Sequence, residues 1–93
     1  MIIAGNWKMN PSLDVAGQLA NALMARSFEP VTRVLFAPHP YLVPMSVRLV
    51  GGDIRLGGQD CHQDVSGART GDVSAAMLRD CGASLVLLGH SER

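Results

Sequence analysis

Apolar and polar positions alternate along this chain in blocks. Ile2-Ile3-Ala4-Gly5 is apolar and turns polar at Asn6, which predicts a first strand ending near Asn6 or Trp7. Lys8 to Ser12 reads as a loop in which Asn10 or Ser12 can cap a helix, with Pro11 suited to its first turn. Leu13, Ala16, Leu19, Ala20, Leu23 and Met24 then recur at three- and four-residue spacing and predict a helix with those residues on one face. Val34-Leu35-Phe36-Ala37 predicts a second, buried strand that Pro38-His39-Pro40 stops, because proline cannot donate to a ladder. Tyr41 to Val50 predicts a short helix that tolerates Pro44 only in its first turn and is closed by Gly51-Gly52. Ile54 to Gly58 predicts a third strand whose glycines mark close approach of a neighbour, and it ends at Gln59-Asp60. Cys61 to Gly71 is the longest loop and a candidate contact surface. Asp72 is placed to cap a third helix carrying Val73, Ala76, Met77 and Cys81, with Gly82 after it. Leu85 to Leu88, free of charge, predicts a fourth strand buried on both faces, stopping at Gly89 before His90-Ser91-Glu92-Arg93.

Strand, helix, strand, helix, strand, helix, strand is the order of an α/β fold with parallel strands. Such a sheet either rolls up or stays open and doubly wound, and periodicity leaves both possible. In either form Asn6, Lys8, Gln59, Asp60 and His90 all follow carboxyl ends of strands, so they share one rim, where α/β folds carry their chemistry.

At 93 residues the chain amounts to at most one domain. Apolar residues make up 47% and charged residues 17%, the profile of a globular protein. Lys plus Arg number 8 and Asp plus Glu 8, so no basic field argues for nucleic acid or an anionic membrane surface. The 2 cysteines, Cys61 and Cys81, make no disulfide framework and lack zinc-site spacing, which favours a reducing compartment. No apolar run approaches the roughly 20 residues of a membrane helix, and the start is too short for a signal peptide; the expected location is the cytoplasm.

Lys8 beside Asn6 pairs a point cation with an amide, a combination suited to an anion or a developing oxyanion. Each residue is also an ordinary loop former. His90 directly follows a buried strand, and Ser91-Glu92 could open a helical turn whose positive end disfavours imidazolium. His39 and His62 have no ligand-spaced partners and read as surface residues, Cys61-His62 has no second pair to complete a metal site, and Gly51-Gly52 and Gly57-Gly58 lack the spacing of a phosphate loop.

Two stretches, Gly5-Asn6-Trp7-Lys8-Met9-Asn10 and Leu88-Gly89-His90-Ser91-Glu92-Arg93, resemble signatures of the amino-terminal half of the triosephosphate isomerase family. Ala37-Pro38 to Tyr41-Leu42, and Gly67 to Asp72 leading into Ser74-Ala75-Ala76-Met77-Leu78, agree in order and spacing, so the resemblance spans nearly the whole chain. It implies a (βα)8 barrel of which residues 1–93 form the amino-terminal half of a single domain. It further implies interconversion of dihydroxyacetone phosphate and glyceraldehyde 3-phosphate without a cofactor or metal. On that resemblance Lys8 would contact substrate and stabilise the enediolate, Asn6 would help position both, and His90 would be the neutral electrophile. Glu92 would support Lys8. The family is typically a homodimer whose third loop enters the neighbouring subunit, which would put Thr70 at the dimer contact. Arg69 and Asp72 depart from the family's usual aromatic residue and glutamate there.

A barrel of this type runs to about 250 residues, so the chain corresponds to its first four strands. The resemblance places the glutamate base, the lid and the main phosphate-binding loops in the second half. A polypeptide of these 93 residues alone is therefore expected to be inactive as an isomerase, with open edges at Ile2–Gly5 and Leu85–Leu88 that favour self-association. The alternatives are a non-catalytic half-barrel, another phosphate-handling barrel, or an open flavodoxin-like domain.

Overall fold

The computed structural model describes residues 1–27 and 30–93. Its strands are β1 (Ile2–Asn6), β2 (Thr32–Phe36), β3 (Ile54–Gly58) and β4 (Leu85–Val86), and its helices are α1 (Leu13–Met24), α2 (Leu42–Arg48) and α3 (Ala75–Asp80). A single turn of 3-10 helix, His39–Tyr41, precedes α2. The strands form one four-stranded parallel sheet in the order β1-β2-β3-β4. This order decides what periodicity left open. Doubly wound sheets place the first strand inside the sheet, whereas consecutive parallel neighbours are the order of a (βα)8 barrel.

Burial follows position in the sheet. Val34, Leu35 and Phe36 of β2 are all buried, as expected of an inner parallel strand. Leu35 and Leu56 join Ala16, Ala20, Leu42 and Met45 in the core between the sheet and its helices. The glycines of β3 mark close approaches, as anticipated: a Cβ at Gly57 would lie 2.5 Å from the Phe36 ring, and one at Gly58 would lie 2.9 Å from Leu78.

Four expectations need correction. Ser12 caps α1, with the Val15 amide donating to its hydroxyl at 3.3 Å, but Pro11 lies ahead of the cap and not in the first turn. The buried face of α1 is Ala16, Gly17 and Ala20, whereas Leu13 and Leu19 are 48% and 41% exposed. Small residues win because α1 packs closely on α2: the Arg48 guanidinium lies where a Cβ at Gly17 would be 2.9 Å away. The third helix is capped by Ser74, whose hydroxyl accepts from the Met77 amide at 3.2 Å, so Asp72 and Val73 lie outside it. The Val73 carbonyl accepts from the His62 amide at 2.8 Å, and that bond keeps the segment extended past Asp72. Within α3, Leu78 is the buried residue and Met77 is 48% exposed. The run Leu85–Leu88 is not buried on both faces, since only Leu85 and Val86 pair, with Gly57 and Gly58 of β3, and Leu88 is 65% exposed. Leu85 and Val86 are half-buried. β1, at the other edge, leaves Ile2 67% and Ile3 57% exposed.

Candidate active site

The carboxyl ends of the four strands meet at one cleft of about 420 Å³ lined by Asn6, Lys8, Gln59, Asp60, His90 and Glu92, among others. The rim deduced from strand order is therefore real, and residues 84 positions apart meet on it: Lys8 Nζ lies 2.8 Å from Glu92 Oε1.

Lys8 reaches the cleft through an unusual backbone. Its φ is +55°, and it is the one non-glycine residue at positive φ among the described residues. A left-handed conformation at such a residue costs on the order of 1–3 kcal/mol and persists only where surroundings impose it. Here amides impose it from both sides. The Lys8 N–H donates to Asn6 Oδ1 at 2.9 Å, and the Lys8 carbonyl accepts from Gln59 Nε2 at 2.8 Å. The Trp7 amide continues the β1 pattern by donating to the Phe36 carbonyl at 3.0 Å.

His90 lies beyond Gly89, whose φ of +66° turns the chain away from the strand direction. No helix opens after it. Instead the Arg93 amide closes a turn on the His90 carbonyl at 2.9 Å, and the Glu92 amide donates to His90 Nδ1 at 3.1 Å. A backbone N–H can only donate, so Nδ1 is the unprotonated nitrogen and the neutral ring carries its proton on Nε2. The Glu92 carboxylate stands 3.7 Å from Nδ1, beyond hydrogen-bonding distance. The hydrogen bond from Lys8 holds the Glu92 carboxyl below its ordinary value, against partial desolvation, with the Lys8 charge adding to the lowering. Both partners of this ion pair have side chains 54% exposed, so it orients Lys8 more than it stabilises the fold.

Asn6, Lys8, His90 and Glu92 are thus brought together, and Thr70 is not. It sits on the exposed loop between β3 and α3, in a turn where the Asp72 amide donates to the Arg69 carbonyl at 2.9 Å. His39 and His62 are not the surface residues they resembled. His39 is half-buried and lines the cleft, with Nε2 buried and without a hydrogen-bond partner among the described residues. Its place three residues after the end of β2 was the signal for this. His62 is half-buried too, its Nδ1 accepting from the Asp64 amide at 2.9 Å. Asp60 accepts from Arg93 Nη2 at 2.8 Å, which ties the end of β3 to the turn carrying His90. No group of three or more His, Cys, Asp or Glu among the described residues could hold a metal ion. Nor is any helix among them long and apolar enough to cross a membrane.

A cation, a carboxamide and an imidazole in one cleft can bind an anionic oxygen and stabilise charge developing on a carbonyl oxygen. The family model described as triosephosphate isomerase matches residues 1–93. The triosephosphate isomerase of Gluconacetobacter diazotrophicus is 50% identical over 96 residues, covering 99% of this chain and 38% of the relative. That of Caulobacter vibrioides is 51% identical over 96 residues, covering 99% of this chain and 37% of the relative. That of Afipia carboxidovorans is 45% identical over 95 residues, covering 99% and 38%. The chain thus spans somewhat over a third of the length of the curated relatives it matches.

Proposed function

This chain belongs to the triosephosphate isomerase family, and on that premise we propose that its cleft supplies the electrophilic half of the interconversion of dihydroxyacetone phosphate and glyceraldehyde 3-phosphate. The observation that carries the proposal is the placement of Lys8 Nζ and His90 on one rim, joined through Glu92 at 2.8 Å and 3.1 Å, with His90 Nδ1 as acceptor. A proton leaves the carbon next to the substrate carbonyl, and negative charge gathers on the enediolate oxygens. The His90 Nε2–H donates to those oxygens as they charge. Neutral imidazole is the family's known electrophile, and the Nδ1 contact seen here is compatible with it. Lys8 stabilises the same charge and attracts the substrate phosphate, Asn6 holds the Lys8 amide, and Glu92 keeps the ammonium at the cleft.

Glu92 does not serve as the base. Its carboxylate is engaged by Lys8 and its pKa is lowered, the opposite of what proton abstraction near neutral pH needs. Residues 1–93 form the amino-terminal half of one barrel domain in this reading, and the base comes from the other half. A polypeptide of these 93 residues alone therefore has no meaningful isomerase activity, because general-base catalysis is typically worth about 100- to 10,000-fold. The active form is a cytoplasmic homodimer, with Thr70 on the loop that meets the second subunit.

A hybrid enzyme tests the proposal. Residues 1–93 replace the matching amino-terminal segment of the Caulobacter vibrioides isomerase, and triose phosphate turnover is measured. Turnover in the hybrid and none in the 93-residue polypeptide is the expected pair of results. A folded hybrid without turnover would sink the isomerase reading in favour of a non-catalytic half-barrel.

A further inference from the structure

We propose that Gln59 is a positioning residue for isomerisation, pinning the left-handed backbone of Lys8 so that its ammonium stays at the cleft; the inference rests on the isomerase reading of the site. Gln59 follows β3, yet its side-chain nitrogen reaches past the end of the adjacent β2 to the loop that follows β1, one strand further away. Nε2 lies 2.8 Å from the Lys8 carbonyl oxygen, 3.2 Å from that of Phe36 and 3.4 Å from Asn6 Oδ1. A carboxamide has two N–H groups, so the two carbonyls take them and Asn6 stands at the margin. The Phe36 carbonyl also accepts from Trp7, which makes it a common anchor for Trp7 and Gln59.

Packing cannot do this work. Lys8 and its successor Met9 are exposed, Met9 at 94%, so no apolar contact resists relaxation of Lys8 to negative φ. Such a relaxation would swing the Cα–Cβ bond and carry the ammonium away from Glu92 and His90. Asn6 holds the Lys8 N–H and Gln59 holds its C=O, and with only one side pinned the peptide can rotate.

The experiment uses the hybrid isomerase described above. Gln59→Met keeps length and volume but removes both donors; it is expected to lower kcat/KM by about 10- to 100-fold, the scale of a misplaced catalytic group. The same change made on top of Lys8→Met is expected to alter kcat/KM by less than about twofold, because a residue acting only through Lys8 has nothing left to position. Gln59→Asn, one methylene short of the Lys8 carbonyl, carries the same expectation should the methionine variant fail to fold. Equal losses with and without Lys8, or a folded variant with unchanged kcat/KM, would overturn the proposal. An unmodified hybrid that folds but does not turn over would instead defeat the isomerase reading itself.

Discussion

Lys8 concentrates the residue-scale argument. In the hybrid enzyme, Lys8→Met should cut kcat/KM by about 100- to 1,000-fold, as loss of one preorganised charge-stabilising group does, with thermal stability hardly moved because the side chain is half-exposed. Its partner makes a pH prediction. The Glu92 carboxyl is lowered in the folded site, so the contribution of its pair with Lys8 is fully present above the ordinary value of 4.5 and is lost as pH falls through the lower folded value. Glu92→Gln should remove that acid-side dependence, which kcat/KM measured from pH 3.5 to 6 would check. Asn6, Lys8, His90 and Glu92 could be picked out before folding because each follows a strand end or lies two residues from one that does. The role of Gln59 could not, since two of its three acceptors are backbone carbonyls, one at the end of β2 and one in the loop after β1, and no side-chain pattern announces those.

At the scale of elements, the strands Ile2–Asn6 and Ile54–Gly58 were readable because apolar runs with polar stops have few other solutions, whereas the sheet order was not readable from periodicity. The caps were harder. Asp72 and Ser74 are equally good cap residues, and the choice falls to Ser74 through a hydrogen bond from His62, which lies in a distant part of the loop. Ser74→Ala should cost about 1 kcal/mol of stability and Asp72→Ala close to none, measured by urea denaturation of the hybrid. Helix α1 misleads in the same way: periodicity identifies its apolar positions but not that α2 lies close enough to select Ala16, Gly17 and Ala20 over Leu13 and Leu19. Gly57 gives the sharpest packing test. Its Cβ position is filled by the buried Phe36 ring, so Gly57→Ala should destabilise by about 1–3 kcal/mol.

For the whole molecule, the question is what covers the sheet edges. The run Leu85–Leu88 has the composition of a doubly buried strand, yet only Leu85 and Val86 pair, with β3 alone, and Leu88 is exposed. Such an edge pairs readily with other chains. A polypeptide of these 93 residues should therefore sediment as species larger than a monomer, increasingly so with concentration, and the hybrid should not. A monodisperse monomeric 93-residue polypeptide would count against an edge that needs a partner.

Parallel strands also give the sheet two chemically distinct ends. Opposite the cleft, Arg33 near the start of β2 donates to Asp53 Oδ1 at 2.7 Å and to the Leu23 carbonyl at 2.7 Å, closing the end of α1. The Asp53 carboxyl is lowered chiefly by that Arg33 hydrogen bond, against partial desolvation, so its contribution to folding, like that of Glu92, is lost on acidification. Three strand positions separate Arg33 from Phe36, about 10 Å of backbone, and the Debye length in physiological salt is about 8 Å. Separated by at least the length of a strand, the two charge clusters are screened from one another in salt. Acid loosens the base of the sheet through one carboxylate and disarms its rim through another, and each can be retuned by substitution without disturbing the titration of its counterpart.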